Sequence, residues 1–167
     1  MPIAIQVPHP SPIVEFHRAL GENDKTISAP YSGADLANDI FRSDYWFCKV
    51  RFAEVRRQLE AAMRLGRDWD SYAADPPNTL SLQLAQNTLA RLEIAALPPT
   101  RLMPSVEGGI AISFLEGGKR ALMETYNTGE IVVATFSDFG APNIWELENS
   151  QSALDDAINR IRVHLAA

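Results

Sequence analysis

The chain has 167 residues and a mass of 18.5 kDa, which suits one domain of ordinary size. Apolar residues make up 46% and charged residues 22%, a composition typical of globular proteins and unlike disordered, collagen-like or membrane chains. Fifteen Lys and Arg residues against twenty-one Asp and Glu residues give a net charge of -6. That balance disfavours tight non-specific binding to nucleic acid or to anionic lipid.

The single cysteine and the amino terminus indicate the compartment. Cys48 alone cannot form an internal disulfide, and its place directly after the aromatic run 45–47 predicts a buried structural thiol. The first seven residues have no basic region, and Pro2 and Gln6 interrupt their apolar run, so we expect no signal peptide. No apolar run approaches the length of about 20 residues that spans a bilayer. These features predict a cytoplasmic protein with no membrane partner.

Residues 1–31 are predicted to form a proline-rich arm, since prolines crowd this segment and residues 9–12 (His-Pro-Ser-Pro) favour extended geometry. The alternation of Ile3, Ile5 and Val7 can add an edge strand to the chain's own sheet or to another molecule. A mobile arm fits the proline content, whereas a docked arm fits its apolar content. We predict that the arm contacts a protein partner through five apolar side chains: Ile3, Ile5, Val7, Ile13 and Phe16.

Residues 32–167 are predicted to form a single α+β domain. Ser32 and Asp35 have the form of a capping box for a short helix, and Ser43 and Asp44 can cap a longer one that ends before Gly66. A third helix is predicted over about 81–96, where apolar residues recur at steps of three and four. A basic stripe on the second helix indicates a solvated face.

After Arg101 the apolar period changes from helical to alternating, which predicts strands. Alternation marks 110–115, 121–126 and 131–136, a further short strand is predicted over 143–147 after the turn at 138–142, and 102–106 is a candidate for an additional first strand. Short Gly-containing turns join the first four in chain order and favour antiparallel pairing, because a parallel pair needs a crossover of about a dozen residues. A last helix, opening at Ser152, must pack on an exposed apolar face of this sheet. The predicted fold has amino-terminal helices, an antiparallel meander of about four or five strands, and a carboxy-terminal helix packed on the sheet.

The densest local motif is residues 66–77, Gly-Arg-Asp-Trp-Asp-Ser-Tyr-Ala-Ala-Asp-Pro-Pro. It resembles a Trp-Asp-Ser/Gly-Tyr-x-Ala-x-Pro loop found in small bacterial proteins of unassigned function. In those proteins a helix and then a Pro-x-Val-x-x-Gly-Gly-Ile strand entry follow, which is similar to Pro104–Ile110 here. The resemblance spans about residues 55–135, and it implies the α+β fold without implying an activity. It departs at Arg67-Asp68, where such loops often begin with Gly, and at Ala73, where Gly often follows Tyr.

Two interpretations of this loop remain open. As a structural clasp, Trp69 and Tyr72 would bury large areas while Asp70 accepts bonds from nearby backbone amides. As a site, Asp68, Asp70 and Asp75 would be acid–base groups or metal ligands, although the loop lacks the glycine and the closing glutamate of a calcium loop.

No motif predicts a cofactor, a metal site or a catalytic residue. The glycine pairs lie between strands, the three histidines have no metal-ligand spacing, and no nucleophile elbow, Walker loop or dinucleotide fingerprint is present. The leading hypothesis is a non-catalytic protein-binding module of the antitoxin, immunity or inhibitor type from a bacterium or phage, with a partner that is basic. The alternatives are a self-associating assembly protein, hence a homo-oligomer, and an enzyme using Asp68, Asp70 and Glu124 in a helix–sheet cleft.

Overall fold

The computed structural model describes residues 33–137, 140–148 and 150–167, with side chains described from residue 45 onward. The chain divides into two units, Met1–Leu36 and Ala37–Ala167. The predicted arm, with Ile3, Ile5, Val7, Ile13 and Phe16, lies outside the described residues.

The described chain has three helices and a five-stranded antiparallel sheet, so the α+β prediction is confirmed. The elements in chain order are α1 (Gly33–Ala62), α2 (Thr79–Ile94), β1 (Arg101–Ser105), β2 (Gly109–Glu116), β3 (Lys119–Tyr126), β4 (Ile131–Phe136), β5 (Asn143–Leu147) and α3 (Gln151–Ala166).

The prediction of two separate helices before residue 66 was wrong, because α1 runs without a break past Ser43 and Asp44. No glycine or proline lies between Gly33 and Gly66, so nothing in the backbone forces a helix to end there. The other two helices begin near their predicted starts. Asn78 caps α2 by accepting a bond from the Ser81 amide at 3.0 Å. Ser150, rather than the predicted Ser152, caps α3 through the Ala153 amide at 3.2 Å.

The sheet is a meander in the order β1-β2-β3-β4-β5, and each strand pairs with the next along the chain. Gly117 and Gly118 form the two-residue turn between β2 and β3, both with positive φ, as a tight hairpin of this twist requires. Gly109 at the start of β2 has φ +142°, and a Cβ there would lie 2.1 Å from the Thr125 carbonyl oxygen. The backbones of β2 and β3 therefore approach at a distance that only glycine allows.

All three helices pack on one face of the sheet, which we call the core face. Alternate strand residues there, among them Ile110, Ile112 and Met123, are completely buried. They belong to one apolar cluster with residues of each helix, such as Phe52, Leu92 and Ile161. The predicted packing of the last helix on the sheet is thus confirmed, and α2 lies beside it on the same face.

The intervening strand residues point to the opposite side, which we call the outer face. From β1 to β5 its apolar members are Met103, Ala111, Leu115, Leu122, Val132, Ala134, Phe136 and Ile144. Within the residues that the structure describes, no helix or strand covers this face. None of the described helices has the length and apolar character needed to cross a membrane.

Candidate protein-binding surface

The loop between α1 and α2 folds around its own aspartates, as the clasp interpretation predicts for Asp70. One carboxylate oxygen of Asp70 accepts bonds from the amides of Tyr72 at 2.9 Å and Ala74 at 3.1 Å. Asp68 accepts from the Ala73 amide at 2.8 Å. The Tyr72 amide bond is the main cause that lowers the pKa of Asp70 below its usual value. Both carboxylates therefore serve the loop backbone, and this favours a structural role over acid–base work.

The clasp interpretation predicts that Trp69 and Tyr72 are both buried, and only Trp69 is partly so. Trp69 is half-buried, and its indole nitrogen is buried with no hydrogen-bond partner among the described residues. Tyr72 is 89% exposed, so the expectation that it buries a large area was wrong. The two Asp70 bonds hold the backbone in a turn that directs the Tyr72 ring into solvent. Cys48 is likewise half-buried rather than fully buried, and burial raises the pKa of its thiol.

Asn127, in the turn between β3 and β4, connects this loop to the sheet. Its side chain donates to the Pro76 carbonyl at 3.0 Å and accepts from the Asn78 amide and the Ser81 hydroxyl, each at 2.8 Å. Its backbone carbonyl accepts from the Asn78 side chain at 2.8 Å. The loop, the start of α2 and the turn of the sheet therefore form one rigid unit.

The same end of the sheet is negatively charged. The Asn127 amide donates to the Gly108 carbonyl at 3.1 Å, which joins the β1–β2 turn to the β3–β4 turn. Beside this junction, burial raises the pKa of Tyr126 to about 12, with further contributions from Glu124, Glu107 and Glu130. Glu124 accepts a bond from the Tyr126 hydroxyl at 3.0 Å. Three carboxylates thus act on one phenol, which indicates a negative local potential.

We define the acidic end as the exposed residues of these turns and of the loop tied to them: Tyr72, Asp75, Val106, Glu107 and Glu130. Val106 is 65% exposed, and with Tyr72 it gives the surface two apolar contacts among its charges. Arg67 is the cation paired with Asp75, at 3.6 Å, and both side chains are largely exposed. The acidic end therefore combines exposed apolar groups with negative charge on a backbone fixed by hydrogen bonds.

A second exposed apolar segment lies on α1, where the aromatic rings of residues 45–47 are more than half exposed. Lys49 lies over the Tyr45 ring, and Arg51 lies over the Phe47 ring. The chain directly before this segment lies outside the described side chains. The acidic end, which described residues flank on both sides, is consequently the surface that supports a function best.

The carboxylate site predicted for a helix–sheet cleft is not assembled as expected. Glu124 lies on the outer face, on the opposite side of the sheet from the helices, because it alternates with the buried Met123 and Thr125. A cleft of about 460 Å³ between α2 and the start of α3 is lined by apolar and polar residues in equal number, and Glu148 is its one carboxylate among the described residues. Within the described ranges, no group of three or more His, Cys, Asp or Glu side chains could hold a metal ion.

Sequence reasoning missed Asn127 and Tyr126, because their partners are distant in sequence. The Asn-Thr-Gly run at 127–129 carries the signal of a turn and gives no sign of bonds to residues 46 to 51 positions away. Comparison with protein-family models, with curated proteins and with solved structures gave no match.

Proposed function

We propose that the chain is a non-catalytic protein-binding module whose acidic end receives a basic partner, as an antitoxin, immunity or inhibitor-type protein of a bacterium or phage would. The observation that carries this proposal is that Glu124, Glu107 and Glu130 all act on Tyr126 at one end of the sheet, to which the loop with the exposed Tyr72 is hydrogen-bonded through Asn127. Tyrosine and arginine are enriched among the residues that dominate binding energy at protein interfaces. A partner that presents arginine beside apolar residues would complement both the charge and the ring.

The rigidity of this end supports the same conclusion. Asn127 and the two loop aspartates fix the backbone before any partner arrives, so less conformational entropy is lost on binding. The overall charge of -6 adds long-range attraction for a cationic partner. The cleft beside α2 has a single lining carboxylate among the described residues. The hypothesis of an enzyme with several carboxylates in a helix–sheet cleft is therefore less well supported than the binding module.

The test reverses charge at the acidic end and compares it with an equal reversal elsewhere. The double variant Glu107→Lys/Glu130→Lys should lower the association rate of the partner at least about tenfold, since steering depends on local potential. The control, Glu60→Lys/Glu116→Lys, makes the same net change on α1 and on the turn at the opposite end of the sheet. Each immobilised full chain is used for capture from the source cell at low salt.

A protein that wild type and control retain, and that the acidic-end variant loses, would be the expected partner. Its retention should fall as salt rises, because screening acts over about 8 Å at physiological ionic strength. Equal loss in both variants would show that only net charge matters. Retention of nothing, or of proteins indifferent to all four substitutions, would contradict the proposal.

Tyr72→Ala separates binding from folding in the same experiment. Because the ring is exposed, the melting temperature should stay the same while partner dissociation accelerates. A large loss of stability without a change in binding would restore the clasp interpretation for Tyr72.

A further inference from the structure

The outer face has the dimensions and the residue content of a sheet-packing surface. Five strands at about 4.8 Å spacing and strands of five to eight residues give an area of about 24 Å by 20 Å. Ala111 and Ala134 within it are small enough to be buried between their neighbours. Leu115 and Ile144 stand out from it at 58% and 60% exposure.

The strand register arranges this face in rows that cross the strands. The central row is Arg101, Ser113, Leu122, Ala134 and Ile144. The row on one side is Leu115, Arg120 and Phe136, and the row on the other side is Met103, Ala111, Glu124, Val132 and Glu146. On β3, Arg120 and Glu124 therefore lie at equal distances on opposite sides of Leu122.

This spacing makes the face complementary to itself. A two-fold axis that lies along the central row brings Arg120 of one copy over Glu124 of the other, and Glu124 over Arg120. The same rotation places Leu115 over Ala111 and Phe136 over Val132, which pairs a projecting side chain with a smaller one in each case. Arg101, at the β1 end of the central row, would lie over Arg101 of the other copy, at the rim where solvent screens the two like charges. Glu146 lies at the opposite rim, on β5, and is also exposed.

The geometry points to a homodimer in which two copies of this chain pack their outer faces together, with reciprocal Arg120–Glu124 ion pairs on either side of Leu122. Aligned sheets pack about 10 Å apart at about 30° to each other. At that angle, groups about 7 Å from the axis along a strand are displaced sideways by about 3.5 Å, which an Arg and a Glu side chain can span together.

Both charged groups are already oriented within one copy. The Arg120 guanidinium lies over the Phe136 ring, 5.2 Å from its centroid. The Glu124 carboxylate accepts the Tyr126 hydroxyl bond at 3.0 Å. Little side-chain entropy remains to be lost when the two copies meet. The interface would bury about 1,000 Å² in total, near the lower limit for specific complexes, so dissociation in the micromolar range is expected.

Sedimentation of the full chain from about 1 μM to about 500 μM tests this dimer. Each single variant, Arg120→Glu or Glu124→Arg, turns both ion pairs of the dimer into contacts between like charges. Each should raise the dissociation constant at least about tenfold. The double variant Arg120→Glu/Glu124→Arg should return it to within about threefold of wild type, because the pairs are restored with exchanged signs. Tyr126→Phe removes the supporting bond without a charge and should change it by less than about threefold.

Two matched substitutions of exposed apolar residues by lysine test the central row of the outer face. Ile144→Lys should abolish the dimer, whereas Val163→Lys, at an equally exposed position on α3, should leave it unchanged. Thermal melts of each variant confirm that the fold is retained.

A wild-type monomer throughout the concentration range, or a double variant that fails to recover, would overturn the proposal. If substitution of Ile3 and Ile5 shifted the Leu122 methyl resonance in the NMR spectrum of the monomer, residues 1–31 of the same chain would cover the outer face, and the dimer proposal would be wrong. If Ile144→Lys instead abolished binding of a different captured protein, the face would belong to that partner. Glu124 contributes to both surfaces, whereas Glu107, Glu130 and Tyr72 take no part in these pairs. The basic-partner proposal is tested through those three residues, so failure of the dimer would be distinguishable from its failure.

Discussion

The two faces of the sheet follow the same alternating pattern and differ in what covers them. On the core face, Ile110, Ile112 and Met123 are inaccessible because three helices pack over them. On the outer face, Leu122 and Val132 are partly exposed and Ile144 largely so. An alternating strand thus presents two apolar surfaces, of which one is buried by helices and the other stays partly exposed among the described residues, which is why we propose it for association.

The largest expected effect is on the core face. Ile112→Ala should lower the free energy of unfolding by about 2–5 kcal/mol, because the lost burial and the residual cavity both count at a site with no exposure. Chemical denaturation measures this change. A loss below about 1 kcal/mol would mean that the helices do not pack on this face as described.

Asn127→Ala should have the next largest effect, about 2 kcal/mol, since it removes side-chain bonds to Pro76, Asn78 and Ser81 together. Amide hydrogen exchange should become faster in residues 67–78 and at the start of α2, while β2 keeps its protection. The control Thr128→Ala, one residue further in the same turn, should leave both regions protected. Unchanged exchange in the loop after Asn127→Ala would contradict the connecting role of this side chain.

Substitution of Thr88, on α2, should have a smaller effect, and it should raise the free energy of unfolding rather than lower it. Its hydroxyl is buried with no hydrogen-bond partner among the described residues. Thr88→Val keeps the shape and removes the unpaired polar group, so the free energy of unfolding should rise by about 1 kcal/mol. A loss of stability in denaturant titrations would indicate that this hydroxyl does have a partner.

The smallest effect concerns ionisation at the edge of the outer face. The pKa of Tyr126, raised to about 12 mainly by burial and further by its bond to Glu124, exceeds the ordinary tyrosine value of 10.0. The folded state therefore holds the phenol proton more tightly than the unfolded state, and stability should fall as pH rises from about 10 through about 12. Tyrosinate absorbance should show the Tyr126 pKa moving towards 10 in Glu124→Gln. An unchanged titration would contradict the bond.

The sequence predicted the strands well because their signal is local. Alternation located β2, β3 and β4, a short strand was predicted at β5 and a candidate first strand at β1, and the short turns between strands indicated antiparallel pairing. The same alternation does not tell which face the helices cover, so Glu124 was wrongly expected in a helix–sheet cleft. Side chains whose surroundings depend on distant residues were also missed. Tyr72 points into solvent because Asp70 bonds turn the backbone, and Asn127 acts through partners some fifty residues away.

The difference between the two faces can be tested most directly on β3, where Met123 and Leu122 are adjacent and point to opposite sides. Met123→Ala should lower the free energy of unfolding by about 2–5 kcal/mol, measured at a concentration where the chain is monomeric, and should leave the dimer dissociation constant within about threefold. Leu122→Ala should lower the unfolding free energy by less than about 1 kcal/mol and weaken the dimer at least about tenfold. If both substitutions destabilised the monomer equally and neither changed association, the outer face would be part of the folding core and the account would be wrong.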